Sequence, residues 1–311
     1  MATLDPARVA AALTSVRQAP LSIVQTRAEA SADLSPRLKL GLTLTVNRQS
    51  SLDQSALINV PQTDASVAAF VRYRDERGTL TLTAAQRSAV REIYALRLDY
   101  ELAIAPRLRL AGSAGVGQTA VELAILRVGG VKSTFDNTLT WAISSREYLR
   151  AGLAWNRYFS QSGADLGRGT LYNLEAGHRV RIEYPDFNLR VFLTRANFSA
   201  NLTDDALLAG LRPAALNTGS DTYLSSSYTQ WGLAAGWGQS LQQRYTRALR
   251  PFFDVSLFHN SLTGSGRGVR MGLAGSLVGS DHAVVYFSQF TGTPGAPQGL
   301  REFGLTYQWL Y

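Results

Sequence analysis

Apolar and polar residues alternate along most of this chain. From Arg37 to Asn47, Leu38, Leu40, Leu42, Leu44 and Val46 share one face. Arg37, Lys39, Gly41, Thr43, Thr45 and Asn47 share the other. A period of two is the mark of a β-strand. The same period sets Val67, Ala69, Val71 and Tyr73 against Arg72 and Arg74. Further on, Tyr94, Leu96, Leu98, Tyr100, Leu102 and Ile104 stand against Arg97, Asp99 and Glu101. Leu149, Leu153 and Trp155 oppose Arg150, and Leu174, Val180 and Ile182 oppose Glu175, Arg179, Arg181 and Glu183. Phe253, Val255 and Leu257 oppose Asp254, and Val269, Met271, Leu273 and Leu277 oppose Arg270.

Three charges on one strand face do not fit a dry core, where each costs several kcal/mol unless paired. Hydrocarbon outside and enclosed water inside remove the difficulty. The pattern therefore predicts an all-β fold: a transmembrane antiparallel β-barrel of about sixteen strands, the even number such barrels use.

Turn signals join many strands: Ser35-Pro36, Ala105-Pro106, Ser145-Arg146, Pro185-Asp186 and Gly279-Ser280. The connections over 49–63 and 202–227 are much longer. Long loops lie on the outer side of such barrels, so 202–227, with Asp204, Asp205 and Arg212, is a candidate gating loop. Residues 107–128 read either as one strand plus a loop or as a hairpin turning near Gly115-Val116-Gly117. The first option needs a further strand before Leu21. The second keeps an even count from Leu21 and is preferred. Residues 5–18, DPARVAAALTSVRQ, predict a short helix, with Asp5 as cap and Pro6 at its first position, the alternatives being a disordered leader or an additional strand. The expected division is a periplasmic helix or linker over 1–20 and one barrel over 21–311.

Composition narrows the class. Mean hydropathy is −0.06, and no apolar run approaches the ~20 residues of a membrane helix. A barrel hides its hydrophobicity in every second residue, so a near-zero mean is expected. The chain has 311 residues and no cysteine, which removes disulfides and thiolate metal sites. No signal peptide is visible at Met1-Ala2-Thr3-Leu4-Asp5. An exported barrel then implies a longer precursor. Net charge is +8, from 31 Lys and Arg against 23 Asp and Glu. The arginines are spread through strands rather than clustered beside aromatics, which disfavours nucleic acid.

Candidate chemistry is sparse. Gly112-Ser-Ala-Gly-Val-Gly117-Gln118-Thr119 departs from a P-loop by Gln118 in place of lysine and lacks the strand-then-helix context. His178, His259 and His282 have no metal-ligand spacing. Some barrels carry hydrolytic sites at the rim, but no acid, base and nucleophile converge here. The reading is a non-enzyme with no metal. The sharper signal is the inward charge. Arg37, Lys39, Arg72, Arg74, Arg97, Arg107, Arg109, Arg150, Arg179, Arg181, Arg190 and Arg270 share the polar register with Asp99, Glu101, Glu175, Glu183 and Asp254. They predict a hydrated lumen and a solute path, or else cross-strand ion pairs stiffening the wall. Arg157 and Arg195 break the apolar face toward the outer end, where anionic lipopolysaccharide would pair with them.

The last stretch alternates too. Phe303, Leu305, Tyr307, Trp309 and Tyr311 form an aromatic face. Gly304-x-x-Tyr307-x-Trp309-x-Tyr311 looks like the C-terminal signal that the barrel-assembly machinery reads. With REFGLTYQWLY at its end, the chain resembles the C-terminal barrels of bacterial exopolysaccharide export porins, those of the Pel polysaccharide system. The resemblance covers nearly the whole chain. It implies outer-membrane export of an amino-sugar polymer for the biofilm matrix, with no cofactor. It also implies an upstream periplasmic tetratricopeptide region, of which 1–20 would be a remnant, and a ring-forming outer-membrane lipoprotein as partner. The implied passenger is cationic, so a net-basic barrel is unexpected. Either acidic lumen residues form the path, or the surplus charge sits on rims and outer loops.

Overall fold

Strand alternation becomes a wall only if every strand finds two neighbours. Unpaired backbone groups have no partner in hydrocarbon, so a spanning sheet must close on itself. A computed structural model of the protein describes residues 8–216, 221–242, 245–296 and 299–310. Sixteen antiparallel strands follow one another around a closed barrel. They are β1 Arg8–Gln18, β2 Leu21–Ser35, β3 Leu38–Ser51, β4 Thr63–Arg74, β5 Gly78–Ser88, β6 Glu92–Ala105, β7 Leu108–Thr119 and β8 Gly130–Ala142. The second half comprises β9 Glu147–Ser160, β10 Asp165–Arg181, β11 Phe187–Ala200, β12 Tyr228–Trp237, β13 Arg250–Asn260, β14 Gly264–Gly275, β15 Asp281–Thr291 and β16 Leu300–Leu310.

The expected N-terminal helix is not there. Arg8–Gln18 is a strand, and it pairs with β2 on one side and β16 on the other. Its alanines favour a helix locally. Closing the barrel outweighs that preference, because without β1 two edges would lie open to lipid. Residues 5–7 of the expected helix lie outside the described residues. The preferred hairpin at Gly115–Gly117 is also corrected. β7 runs through the site, and the glycines mark a bulge, with the register shifting between Gly115 and Gln118 and Gly117 at φ 68°. The count of sixteen stands, by the option that needed a strand before Leu21.

This count fixes the ends. The start of β1 and the end of β16 share one end with the turns 36–37, 75–77, 106–107, 143–146, 182–186 and 276–280. The loops 52–62, 120–129, 201–227 and 292–299 share the other. Long loops face outward in this class, so the first end is periplasmic and the second extracellular. One periplasmic connection, 238–249, is longer than expected; its Leu241 packs on Phe252, Ala274 and Val284.

The outer face is an apolar band bordered by aromatics. Tyr94, Trp155 and Trp231 stand toward the extracellular end; Tyr73, Trp141, Trp237, Phe253 and Trp309 stand toward the periplasmic end. Trp237 and Phe253 stack at 5.2 Å between centroids. Such girdles sit at headgroup level. Tyr307 and Trp309 keep the expected outward register beside Ala283 and Asp281. Tyr311 lies outside the described residues. Gly304 turns inward, where a side chain would collide with the Tyr286 ring at 2.3 Å.

Candidate functional site

The lumen has two storeys. In the periplasmic half and the middle, many inward groups are charged and paired within or across strands, beside a small apolar cluster of Leu241, Phe252, Ala274 and Val284. Arg97 reaches Asp99 at 2.7 Å, Arg109 reaches Glu101 at 3.4 Å, and Arg150 reaches Glu175 at 3.3 Å. Lys39 lies 3.6 Å from Asp33, and Arg190 bonds Asp254. Arg72 Nε donates to Thr81 Oγ1 at 3.2 Å, Arg179 donates to the Ser145 carbonyl at 3.2 Å, and Arg270 covers the Tyr286 ring at 4.3 Å. Arg72, Arg74, Thr79, Thr81, Asp99 and Glu101 border a groove of about 430 Å³. It meets a second groove of about 580 Å³ at Asp99, which adds Lys132, Thr134, Asp136 and Thr138. Wet ion pairs of this kind are worth under about 1 kcal/mol each. They exchange readily with the hydroxyl and charged groups of a passing solute.

Four residues expected on this register lie elsewhere. Arg37 sits in the turn 36–37, Arg107 in the turn 106–107, and Glu183 in 182–186. Arg181 follows the register break after Arg179, at the periplasmic rim. In each case the alternation was carried past the end of a regular strand.

The extracellular half is filled. Loops 52–62, 120–129 and 201–227 fold inward and share one apolar cluster. Loop 120–129 contributes a short helix, α1 Ala124–Gly129, and loop 201–227 contributes α2 Ala206–Ala209. Leu57, Leu126, Val128, Leu208, Leu211 and Tyr223 are buried in this cluster. On the wall it reaches Leu21 and Ile23 of β2, and Tyr158 and Leu166 of β9 and β10. β2 and β10 stand on opposite sides of the ring, so the cluster crosses the whole lumen. Gly129 packs so closely on α2 that a Cβ there would stand 2.8 Å from Leu208.

A few polar contacts seat this plug on the wall. Arg87 of β5 pairs with Asp64 of β4 at 2.6 Å, and both are buried. The same guanidinium donates to Thr119 Oγ1 at 2.9 Å and to the Arg127 carbonyl of α1 at 3.3 Å. Gln18 of β1 accepts from Arg127 Nη1 at 3.1 Å. Glu122 accepts from Lys132 at 2.6 Å and from the Tyr158 hydroxyl at 3.0 Å. Asp205 caps α2, accepting from the Leu208 amide at 2.9 Å, and accepts from Ser160 of β9 at 2.7 Å and from Ser162. Burial opposes ionisation of Asp205, but the Ser162, Ser160 and backbone hydrogen bonds prevail and hold its carboxyl below the ordinary value. Between loops, the Ile58 amide donates to the Leu211 carbonyl at 2.9 Å and Asn59 Nδ2 to the Gly210 carbonyl at 2.8 Å.

Of the expected gating residues, Asp205 anchors the loop, while Asp204 is exposed. Arg212 stays within the loop, 3.1 Å from Asp221 and over the Tyr223 ring at 4.6 Å. Arg87, Asp64, Gln18 and Glu122 were missed. The Thr-Leu-Thr-Leu-Thr alternation before Arg87 was the available signal for it.

The charge puzzle resolves at the rim. Lumen cations largely meet carboxylates, whereas Arg17, Arg48, Arg157, Arg168, Arg195, Arg267 and Arg301 all face outward at the extracellular ends of their strands. Part of the surplus therefore sits on the outer rim, while Arg72, Arg179 and Arg270 keep unneutralised charge in the lumen.

Comparison with known proteins agrees with this architecture. A bacterial polysaccharide outer membrane secretin is similar in fold at 11% identity, with a TM-score of 0.71 and 99% of each chain covered. CdiB from Acinetobacter baumannii is similar at 7% identity and a TM-score of 0.54, over 98% of this chain and 60% of that one. No curated protein matches the sequence. The family model described as "PelB, C-terminal beta barrel domain" matches residues 4–310. A closed, plugged outer-membrane barrel that fits this family model from end to end belongs to the PelB C-terminal beta barrel family, the pore of an exopolysaccharide export porin.

Proposed function

We propose that the barrel carries a Pel-type amino-sugar polymer up the charged lower lumen and releases it past the plug once the loops swing aside. The carrying observation is the apolar cluster reaching from β2 to β10 across the lumen. A permanently open pore has no use for it. Below the plug, Asp99, Glu101, Asp136 and Glu175 offer carboxylates to amino groups, and the neighbouring arginines and threonines offer donors to sugar hydroxyls. Many weak contacts suit conduction, because a passenger must leave each site as easily as it arrives. Export needs no cofactor in this scheme. The supporting partners are an upstream periplasmic tetratricopeptide region, a ring-forming lipoprotein beneath the barrel and the assembly machinery that reads Gly304, Tyr307, Trp309 and Tyr311.

Single-channel recording tests the scheme. The wild-type barrel is expected to conduct little, and a variant with 203–224 replaced by a short Gly/Ser turn to conduct in large, steady steps. Steady wild-type conductance equal to that of the variant would make it a general-diffusion porin instead.

A further inference from the structure

The outward arginines are not scattered evenly. Arg157 of β9 stands directly opposite Arg168 of β10, and Arg17 of β1 directly opposite Arg301 of β16. Directly opposed like charges destabilise a sheet pair. Arg157 is balanced by Asp165 at 2.8 Å. Arg168, Arg17 and Arg301 have no ion-pair partner among the described residues. Beside the first pair the surface is concave: Trp155, Arg157, Asp165, Arg168, Ser199 and Asn201 line a pocket of about 330 Å³. Arg195 stands nearby on the next strand, its Nε 3.4 Å from Asn197. Immediately toward the membrane lie exposed Leu153, Tyr172 and Leu174. The opposite rim is built differently. There the outward register holds aromatics, the pair of His178 with Glu147 at 2.9 Å, and Asp281, whose carboxylate accepts from the Leu277 and Val278 amides.

We propose that the Arg157–Arg168 and Arg17–Arg301 pairs are two phosphate clamps for a phosphorylated glycolipid of the outer leaflet. A phosphate bridging two facing guanidiniums turns repulsion into two charge-assisted, bidentate contacts. Ser199 and Asn201 then meet sugar hydroxyls, and the acyl chains lie along the leucine band. An anionic amphiphile is selected over a soluble anion because the cations stand at the edge of an apolar surface. Their restriction to the extracellular end selects the outer leaflet. The second clamp lies on the β1–β16 seam, where the chain closes its own ring, so a bound lipid also staples that closure. The proposal rests on the outer-membrane orientation, but not on what passes through the lumen.

The test uses the purified barrel with bisphosphorylated lipid A, its dephosphorylated form, phosphatidylglycerol and inorganic phosphate, read by native mass spectrometry. Wild type is expected to retain bisphosphorylated lipid A, and Arg157→Gln/Arg168→Gln and Arg17→Gln/Arg301→Gln each to weaken it about tenfold. Glu147→Gln at the opposite rim is expected to change nothing. A wild-type far-UV circular-dichroism spectrum and heat-modifiable gel migration show that each variant is folded; for a double variant that fails this check, the corresponding Arg→Lys pair is used, expected to weaken retention less than the other Gln pair does. Equal retention by wild type and the quadruple Gln variant overturns the proposal. So does dephosphorylated lipid A or phosphatidylglycerol binding as well as the phosphorylated glycolipid, or inorganic phosphate displacing it.

Discussion

The lower and upper halves of one lumen are filled in opposite ways. Below, Arg97–Asp99, Arg109–Glu101 and Arg150–Glu175 face each other across water. Above, Leu126, Leu208 and Leu57 are buried against one another. The wall is the same in both: outward apolar residues, inward polar ones. What differs is which loops fold in. Wet ion pairs hold nothing shut, since each contributes little and trades partners freely. An apolar cluster excludes water and solute alike, and its strength is set by area. Hydrophobic burial is non-directional, so a few polar contacts must fix where the plug sits. Gating then becomes a contest between those contacts and whatever pulls the loops away.

The contrast predicts unequal responses to mutation. Arg87→Met should act most strongly. It leaves Asp64 buried without its cationic partner and removes one of the ties between α1 and the wall, a loss on the order of 3–5 kcal/mol. Single-channel recording should show frequent openings with the closed barrel otherwise intact. Asp205→Ala removes a helix cap and the Ser160 contact, roughly 1–2 kcal/mol, and should raise opening less. The same group gives a pH signature. Its folded-state value is lowered from 3.8, so its share of docking is complete above that pH and is lost as pH falls further, through the folded-state value. Openings should therefore stay rare from pH 7 to 5 and increase only in stronger acid, with Asp205→Ala lacking that acid step. Asp99→Asn, in the lower storey, should change stability by under about 1 kcal/mol. Its effect should appear as reduced cation selectivity in reversal-potential measurements.

The two halves also differed in how plainly the sequence announced them. Leu38 to Val46 read as a strand because one face is wholly apolar and the other wholly small or polar. Ala10-Ala11-Ala12 give no such contrast and predict helix; only the need to close the ring identifies β1 as a strand. Gly115 to Gly117 carry turn chemistry, yet a bulge uses the same residues. The inward charges of the lower storey are largely readable, since charges on an alternating register have nowhere else to go. The plug was half readable. The length of 202–227 marked it, and Asp205 was among its expected gating residues. The joint core with 52–62 and 120–129 depends on contacts between segments far apart in sequence. Leu57, Leu126 and Leu208, apolar residues in connections rather than strands, were its only local trace.

A tether across the plug's seat tests the central claim most directly. The chain has no cysteine, and Ser160 Oγ lies 2.7 Å from Asp205 Oδ2, so Ser160→Cys/Asp205→Cys puts one thiol on each side of that contact, to be joined by oxidation and the cross-linked fraction read by mass spectrometry. Polymer secretion is measured in cells carrying this variant, oxidised and then reduced. Secretion that stops on oxidation and returns with reductant is the predicted result. Undiminished secretion from fully cross-linked barrels would contradict the account, because the polymer would then be leaving with the plug in place.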